Sequence, residues 1–225
     1  FSDNLELIES PQILKDCQKA VKRIKQAIAG NEKIALYGDY DVDGVTALVI
    51  LAEILEELNY PNFISYIPHR TNEGYGLNQA ALTELANQGV KLVITVDCGI
   101  SAMTESALAE KLNLDLIITD HHHVPETLPK AVAIINPNQK DCPSSYKGLA
   151  GAGIAWKLGW ALLSSENKIP VFCLKQLDLV ALATIADMAP VSGENRILVK
   201  NGCLKINQNQ RIGLKALLDI SGTKP

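Results

Sequence analysis

Three aspartates stand at alternate positions in the segment YGDYDVDGVTA, residues 37–47, directly after a short apolar run. They are Asp39, Asp41 and Asp43. Carboxylates this close raise one another's pKa and destabilise a fold unless cations neutralise them. The pattern matches the start of a calcium-binding EF-hand loop, but its twelfth position is Ile50 instead of Glu, and an apolar strand precedes it. The sequence therefore favours a different kind of metal site, with solvated aspartates that cap the next helix as the ordinary alternative.

A second polar cluster is the segment DHHH, residues 120–123, which holds three of the four histidines in the chain. Histidines grouped beside a strand end are typical of a metal site. Asp97 follows another apolar run, and Asp187 is the one acid in ATIADMAP. Each of these two has an ordinary explanation as well, a turn residue for Asp97 and a solvated helix end for Asp187. Carboxylate and imidazole ligands together suit manganese, magnesium or zinc, and this many carboxylates would serve two ions, which is an arrangement for phosphoryl chemistry.

Short apolar runs alternate with helical patterns along the first two thirds of the chain, which predicts an α/β fold with a parallel sheet of about five strands flanked by helices. The predicted strands are 34–37, 63–67, 92–96, 116–119 and 131–135; the predicted helices are 11–29, 44–58, 77–87, 101–112, 150–163 and 171–187. Sites in open parallel sheets form at the carboxyl ends of the strands. We therefore expect the polar segments that follow these strands to lie along one edge.

The pattern changes near residue 146, after which helices follow one another without a strong strand. We expect an α/β core over residues 1–145 that carries most of the metal ligands, and a helical subdomain over residues 146–225 that carries the last one.

Composition excludes several classes of protein. The net charge of −4 argues against a nucleic-acid binder with a broad basic surface, although two bound divalent ions would neutralise it. No apolar run is long enough to span a membrane, and no signal-peptide pattern is present. Five scattered cysteines without a CxxC pair predict a reducing, cytoplasmic location. Cys98 lacks a visible partner for a role as a nucleophile.

The motifs, in this order, resemble the DHH phosphoesterase superfamily and, within it, the RecJ-type exonucleases specific for single-stranded DNA. The segments that carry the resemblance are YGDYDVDGVTA, YIPHRTNEGYGL, VDCGIS, TDHHH, INPNQ, LAGAGIAWKL and ATIADMAPVSGENR. The metal ligands that the resemblance implies, which are also the predicted catalytic residues, are Asp41, Asp43, Asp97, His121, His122 and Asp187. Asp39 and Asp120 are expected in or beside the site, whereas His123 lies outside the motif.

The same resemblance implies two divalent metal ions, Mn²⁺ first and Mg²⁺ second, and removal of mononucleotides from the 5′ end of single-stranded DNA in repair and recombination. Arg70 is a candidate phosphate clamp, since guanidinium groups bind phosphate in a bidentate manner, and His69 lies beside it. Gly151 and Gly153 open a predicted helix whose free N–H groups could bind an anion, or they allow close packing. Asn136 could contact substrate or shape the turn before Pro137.

RecJ-type enzymes carry further domains beyond the catalytic half, and the chain begins at Phe1 and stops at Pro225. We therefore expect a piece of a longer protein whose missing domains, and repair or single-strand-binding proteins, are its partners. Two alternatives stay open. One is a phosphodiesterase for short oligonucleotides or cyclic dinucleotides, or a pyrophosphatase, whose members usually have a histidine where this chain has Tyr37. The other is a non-catalytic scaffold that keeps the fold and has lost the chemistry, although all six expected ligands are present in this chain.

Overall fold

Five parallel strands form one sheet in the order β2-β1-β3-β4-β5, in a computed structural model that describes residues 3–164, 166–208 and 211–222. The strands are β1 (Lys33–Tyr37), β2 (Phe63–Tyr66), β3 (Val90–Val96), β4 (Asp115–Thr119) and β5 (Ala133–Ile135). Every predicted strand is present to within about two residues, and the predicted α/β fold class is confirmed.

Nine α-helices surround the sheet or follow it within the described ranges. They are α1 (Cys17–Ala29), α2 (Val42–Glu57), α3 (Gln79–Asn87), α4 (Met103–Lys111), α5 (Gly151–Leu163), α6 (Val171–Lys175), α7 (Leu177–Ala186), α8 (Gly193–Asn207) and α9 (Ile212–Ser221). Two short 3₁₀ turns, Leu5–Leu7 and Pro11–Ile13, precede α1.

Two predicted helices differ from the observed ones. The helix predicted from residue 11 begins only at Cys17, because Asp16 has a left-handed backbone with φ 61° and interrupts the helical path. The helix predicted over 171–187 is divided at Gln176, whose N–H donates to the carbonyl of Cys173 three residues back. The buried Gln176 side chain donates to the carbonyl of Ile50 on α2, so this break is fixed by tertiary contact.

Helices cover both faces of the sheet, so the strands are buried on both sides and read as nearly continuous apolar runs. Helices α1, α2, α5 and α7 pack on one face, and α3 and α4 pack on the other. The larger cluster of buried side chains includes Ile34, Ile54, Trp156 and Val180, which lie on both sides of the predicted division at residue 145. The division into two units stays a prediction.

Within the described ranges, no helix combines the length and the apolar character that a membrane crossing requires.

Candidate metal centre

Aspartates follow three neighbouring strands at the carboxyl edge of the sheet. Asp39 lies two residues beyond β1, Asp97 directly follows β3, and Asp120 directly follows β4, and all three side chains are buried. Because these strands are adjacent and parallel, the three carboxylates lie at the same edge. The alternation of strands and helices predicted that the polar segments would lie along this edge, and they do lie there in the structure.

The turn between β1 and α2 is folded back tightly. The carboxylate of Asp41 accepts a hydrogen bond from the N–H of Gly44 at 2.9 Å and thereby caps α2. A Cβ on Gly44 would lie 2.5 Å from the backbone nitrogen of Asp39, so only glycine fits here. This turn brings Asp39 and Asp41 to Asp97, and one oxygen of each lies within 4.8 Å of the other two. Asp41 therefore belongs to the acidic cluster and caps the helix as well.

Asp97 has a left-handed backbone conformation with φ 60°. Such a conformation costs a non-glycine residue on the order of 1 kcal/mol, and strain of this kind concentrates at functional sites. The N–H of Asp97 donates to the carbonyl of Thr119 at 3.0 Å, which extends the ladder between β3 and β4 by one bond. The strained residue is thus held in place by the sheet.

Asp43 lies in the first turn of α2 and is bound by the amino end of α5. Its two carboxylate oxygens accept hydrogen bonds from the N–H groups of Gly151 at 2.6 Å and Ala152 at 2.7 Å. An anion at a helix amino end is favoured by the free N–H groups and by the helix dipole. The expectation that Gly151 offers a free N–H group to substrate therefore needs correction, because Asp43 already occupies that group.

The two glycines of α5 differ in their surroundings. A Cβ on Gly151 would lie 2.7 Å from both Cβ and Oδ1 of Asp97, so the absent side chain leaves room for that carboxylate. A Cβ on Gly153 would lie 3.2 Å from Cδ2 of Leu149, a tight contact that a small shift of this flexible side chain relieves. Gly151 therefore shapes the site, and Gly153 fits the packing explanation.

His121 directs one ring nitrogen at three carboxylates. Its Nε2 atom lies 3.1 Å from Asp97 Oδ1, 3.8 Å from Asp43 Oδ2 and 3.9 Å from Asp187 Oδ2. Asp187 reaches this point from the carboxyl end of α7. Apart from the 3.1 Å contact with each other, the buried atoms His121 Nε2 and Asp97 Oδ1 have no polar partner that meets hydrogen-bond geometry among the described residues, and the buried Asp39 Oδ1 has none either. Buried polar atoms without partners are rare, and a donor set of this kind fits a divalent cation.

Ionisation in the cluster reflects burial and crowding. Burial raises the pKa of Asp43 to about 6, and the nearby Asp187 carboxylate adds to the shift. Burial likewise raises the pKa of Asp97 to about 7, with a further contribution from Asp43. Burial alone would lower the pKa of His121, but the adjacent Asp97 and Asp43 carboxylates outweigh it and raise the pKa to about 9. Without cations, His121 is therefore protonated at neutral pH, and Asp97 is partly protonated.

His122 is oriented by Asp120. The Asp120 carboxylate accepts hydrogen bonds from the ring Nδ1 of His122 at 2.7 Å and from its backbone N–H at 3.0 Å, and its other oxygen accepts from the N–H of Ile100 at 2.9 Å. A carboxylate that fixes one ring nitrogen leaves the other available as a ligand. His122 forms a possible ligand group with Asp97 and His121. Asp120 therefore fits a supporting role better than direct ligation.

The remaining candidate residues lie around this cluster. His69 and Arg70 are exposed on the loop after β2, and the Arg70 guanidinium lies 5.2 Å from the centre of the Tyr40 ring. Asn136 is buried, its amide donates to the carbonyl of His122 at 3.0 Å, and its oxygen accepts from the N–H of Asn138 at 2.8 Å. Asn136 thus connects the turn at Pro137 to the histidine loop, and its contact with substrate stays a prediction. His123 is exposed and lies outside the three possible ligand groups.

Tyr75 contacts the site, although the sequence predicted no role for this residue. Its hydroxyl lies 3.2 Å from His122 Nδ1 and 3.3 Å from the carbonyl oxygen of Asp97. The segment EGYG lies among the recognised motifs, but nothing in it indicates which residue the tyrosine meets. Cys98, by contrast, is fully buried, and burial raises its thiol pKa well above the ordinary value, which excludes a role as a nucleophile.

Comparison with known proteins gives consistent matches to one family. The chain is 43% identical over 212 residues to the single-stranded-DNA-specific exonuclease RecJ of Bacillus subtilis, covering 94% of this chain and 26% of that protein. It is 37% identical over 220 residues to RecJ of Escherichia coli, covering 93% of this chain and 38% of that protein. The chain therefore spans only about a quarter to two fifths of the length of these curated relatives.

Solved structures with the same fold include two that are described with bound manganese. An exonuclease RecJ bound to manganese matches with a TM-score of 0.84 and 34% identity, covering 97% of this chain and 54% of that one. RecJ from Thermus thermophilus in complex with Mn²⁺ matches with a TM-score of 0.79 and 32% identity, covering 94% of this chain and 30% of that one. The model of the DHH family, N-terminal domain, matches residues 33–184, and the chain belongs to this family.

Proposed function

We propose that this chain is the catalytic part of a metal-dependent phosphodiester hydrolase that removes mononucleotides from the 5′ end of single-stranded DNA. The single observation that carries the proposal is the cluster at His121, in which three carboxylates face one imidazole nitrogen and three buried polar atoms have no hydrogen-bond partner outside the cluster. Similarity to proteins named single-stranded-DNA-specific exonucleases supports the substrate, and digestion from the 5′ end is part of the proposal.

The cluster has enough ligands for two divalent cations. We assign as ligands Asp41, Asp43, Asp97, His121, His122 and Asp187, with Asp39 in the same acidic group and Asp120 behind His122. When bound, two such ions lower the pKa of an attacking water and stabilise charge on the leaving oxygen of a phosphoryl group. Mn²⁺ is the first choice and Mg²⁺ the second, and structures of related RecJ proteins are described with each of these ions.

The protein's own residues have defined tasks in this proposal. The amino end of α5 fixes Asp43, and Asp120 fixes the ring of His122, so that the ligand atoms are set before substrate arrives. Preorganised groups of this kind need little rearrangement during reaction. Arg70, exposed beside Tyr40, receives a phosphate of the incoming strand, and His69 lies next to it.

The proposal extends to the context of the activity. We propose a division into an α/β core over residues 1–145 and a helical unit over 146–225 that brings Asp187 to the site. The matched relatives are longer than this chain. We propose further domains that hold the single strand, a role in DNA repair and recombination, and single-strand-binding proteins as partners. The free state of all five cysteines supports a cytoplasmic location.

The test is digestion of a 5′-phosphorylated oligothymidylate in the presence of Mn²⁺. Two further substrates are measured in parallel: the same strand annealed into a duplex, and a dinucleotide. Asp41→Ala removes an exposed member of the acidic cluster. Asp141→Ala is the matched control, because Asp141 is also exposed and its carboxylate forms an ion pair with Lys15. We expect mononucleotides to leave the single strand stepwise from its 5′ end, and the release to be lost only in Asp41→Ala. Cleavage of the dinucleotide alone would favour the small-substrate phosphodiesterase, and no cleavage by any variant would favour the inactive scaffold.

A further inference from the structure

The loop over residues 67–78, between β2 and α3, connects the candidate phosphate clamp to the metal centre. It carries His69 and Arg70 near its start and Tyr75 near its end. The Tyr75 hydroxyl lies 3.2 Å from His122 Nδ1, so the loop reaches over the sheet edge from β2 to the histidine segment that follows β4. The shape of this loop therefore determines where Arg70 lies relative to His122.

Glu73 is the hub of the hydrogen bonds within this loop. Its Oε2 atom accepts from the backbone N–H of His69 at 2.7 Å. Its Oε1 atom accepts from the hydroxyl of Tyr66 on β2 at 2.5 Å and from the side-chain amide of Asn78 at 3.1 Å. The backbone closes the same turn, because the N–H of Glu73 donates to the carbonyl of His69 at 2.9 Å. One side chain thus ties the start of the loop to β2 and to the first residue before α3.

A second set of contacts fixes the partners of Glu73. The buried Tyr37 hydroxyl donates to the carbonyl of Gly76 at 2.9 Å and accepts from the Asn78 amide at 3.1 Å. The rings of Tyr37 and Tyr66 are stacked with their centres 5.1 Å apart. Asn78 also caps α3 by accepting from the N–H of Ala81 at 2.8 Å. The groups that bind Glu73 are therefore held by the sheet and by α3, and only the loop depends on the carboxylate.

We propose that Glu73 is a positioning residue that holds the 67–78 loop in the shape that presents Arg70 to the substrate phosphate. This inference rests on the proposed function, because it assigns Glu73 a part in recognising the same substrate. Glu73 does not touch the reacting atoms, and it acts through the backbone of His69, the residue directly before Arg70.

The chemistry of the contacts requires a carboxylate. Three donors, the N–H of His69, the hydroxyl of Tyr66 and the amide of Asn78, converge on the two oxygens of Glu73. An ionised carboxylate only accepts hydrogen bonds, whereas a glutamine amide must direct its NH₂ group at one of these donors. Glu73→Gln therefore keeps the size of the side chain and breaks either the bond to the His69 N–H or the bond to the Asn78 amide, whereas the Tyr66 hydroxyl can reverse and accept from the new NH₂ group.

The experiment compares wild type with Glu73→Gln, Tyr66→Phe and the control Glu84→Gln. Glu84 is an exposed glutamate on α3 whose carboxylate bonds to Gln88. The first readout is the pair kcat and KM for Mn²⁺-dependent digestion of a 5′-phosphorylated oligothymidylate. The second is the rate of tryptic cleavage between Arg70 and Thr71 in the folded chain, which is followed by mass spectrometry and needs no nuclease activity.

We expect Glu73→Gln to raise KM by roughly tenfold, the size typical of losing one charge-assisted hydrogen bond, while kcat changes by less than about threefold. Tryptic cleavage after Arg70 is expected to become faster in the same variant, because the loop opens more often. Tyr66→Phe leaves the bond to His69 in place and is expected to show a smaller change of the same sign. Glu84→Gln is expected to match wild type in both readouts.

Unchanged KM and unchanged tryptic cleavage in both Glu73→Gln and Tyr66→Phe would overturn the proposal. A raised KM with unchanged cleavage after Arg70 would overturn it as well, since the loop would not have moved. If wild type digests no DNA, the proposed function fails, and the role of Glu73 in substrate recognition fails with it. Faster tryptic cleavage after Arg70 in Glu73→Gln would then show only that the carboxylate holds the loop. Failure of the proposed function and failure of the role of Glu73 in holding the loop are therefore distinguishable.

Discussion

Replacing Gly151 by alanine adds a single methyl group at the point where α5 meets Asp97. The added Cβ would lie 2.7 Å from both Cβ and Oδ1 of Asp97. The same residue donates its N–H to Asp43 at 2.6 Å, so a shift of the helix to relieve the contact would disturb a second carboxylate. The substitution therefore perturbs two predicted ligands of the metal centre without removing either.

The size of the effect follows from this distance. Non-bonded carbon atoms prefer separations of about 3.5–4.0 Å, so Asp97 or the start of α5 must move by about 1 Å. Over-packing costs about 1–3 kcal/mol and the better helix propensity of alanine offsets up to about 1 kcal/mol, so the free energy of unfolding is expected to fall by at most about 3 kcal/mol. A displacement of about 1 Å in a catalytic group lowers turnover by about 100-fold.

The assay measures Mn²⁺ affinity by calorimetry, turnover on a 5′-phosphorylated single strand, and unfolding in urea. Gly153→Ala is the matched control, because it makes the same substitution on the same helix and its Cβ would meet only the end of the Leu149 side chain at 3.2 Å. We expect Gly151→Ala to lose metal affinity and turnover while it stays folded, and Gly153→Ala to change turnover by less than about threefold, since a flexible side chain adjusts to small overlaps.

Wild-type affinity and turnover in Gly151→Ala would refute this reasoning, because they would mean that the Asp97 carboxylate is free to move or is not a ligand. Equal losses in both variants would also contradict it, since any effect would then come from α5 in general.

Three further outcomes follow from the same structure. Asp41→Ala is expected to abolish turnover but to leave the far-ultraviolet circular dichroism unchanged, because Asp41 is exposed and the lost helix cap costs only about 1 kcal/mol. Lys157→Met is expected to lower the free energy of unfolding in urea by about 3–5 kcal/mol, because it leaves the buried carboxylate of Glu194, now 2.7 Å from Lys157 Nζ, without its cation. Folding raises the pKa of Asp43 to about 6 and of Asp97 to about 7, so the folded state binds more protons than the unfolded chain. The stability of the metal-free chain in EDTA should therefore fall as the pH rises from 5 to 8, and stability that rises over this range would contradict the assignment.

The sheet was predictable because its strands are buried on both faces. Runs such as LVITV and LIIT have no polar face, and strands of this kind alternate with helices of the expected length. Each strand then delivers the next polar residue to the same edge, so Asp97 and Asp120 could be placed at the site before any coordinates were known. The local sequence pattern was therefore sufficient to predict the fold class and the edge of the sheet at which the acidic residues lie.

The contacts that shape the site could not be read from the sequence, since they join residues far apart in the chain. Asp43 and Gly151 are separated by more than a hundred positions, and nothing local indicates that the amino end of α5 binds a carboxylate in place of substrate. The break at Gln176 depends on the carbonyl of Ile50, which is equally distant. The hub at Glu73 was missed for a related reason, because its partners on β2 and before α3 become neighbours only when the loop closes.

Anomalous diffraction from crystals soaked in Mn²⁺ shows directly whether this cluster binds two divalent cations. We expect two anomalous peaks about 3.5–4 Å apart, the separation typical of two-metal sites. One peak should lie among Asp43, His121 and Asp187, and the other beside Asp39, Asp41 and Asp97, which are two of the groups of side chains that the fold brings together. A map without peaks at these residues, or with manganese bound only elsewhere on the surface, would mean that the cluster is not the metal site.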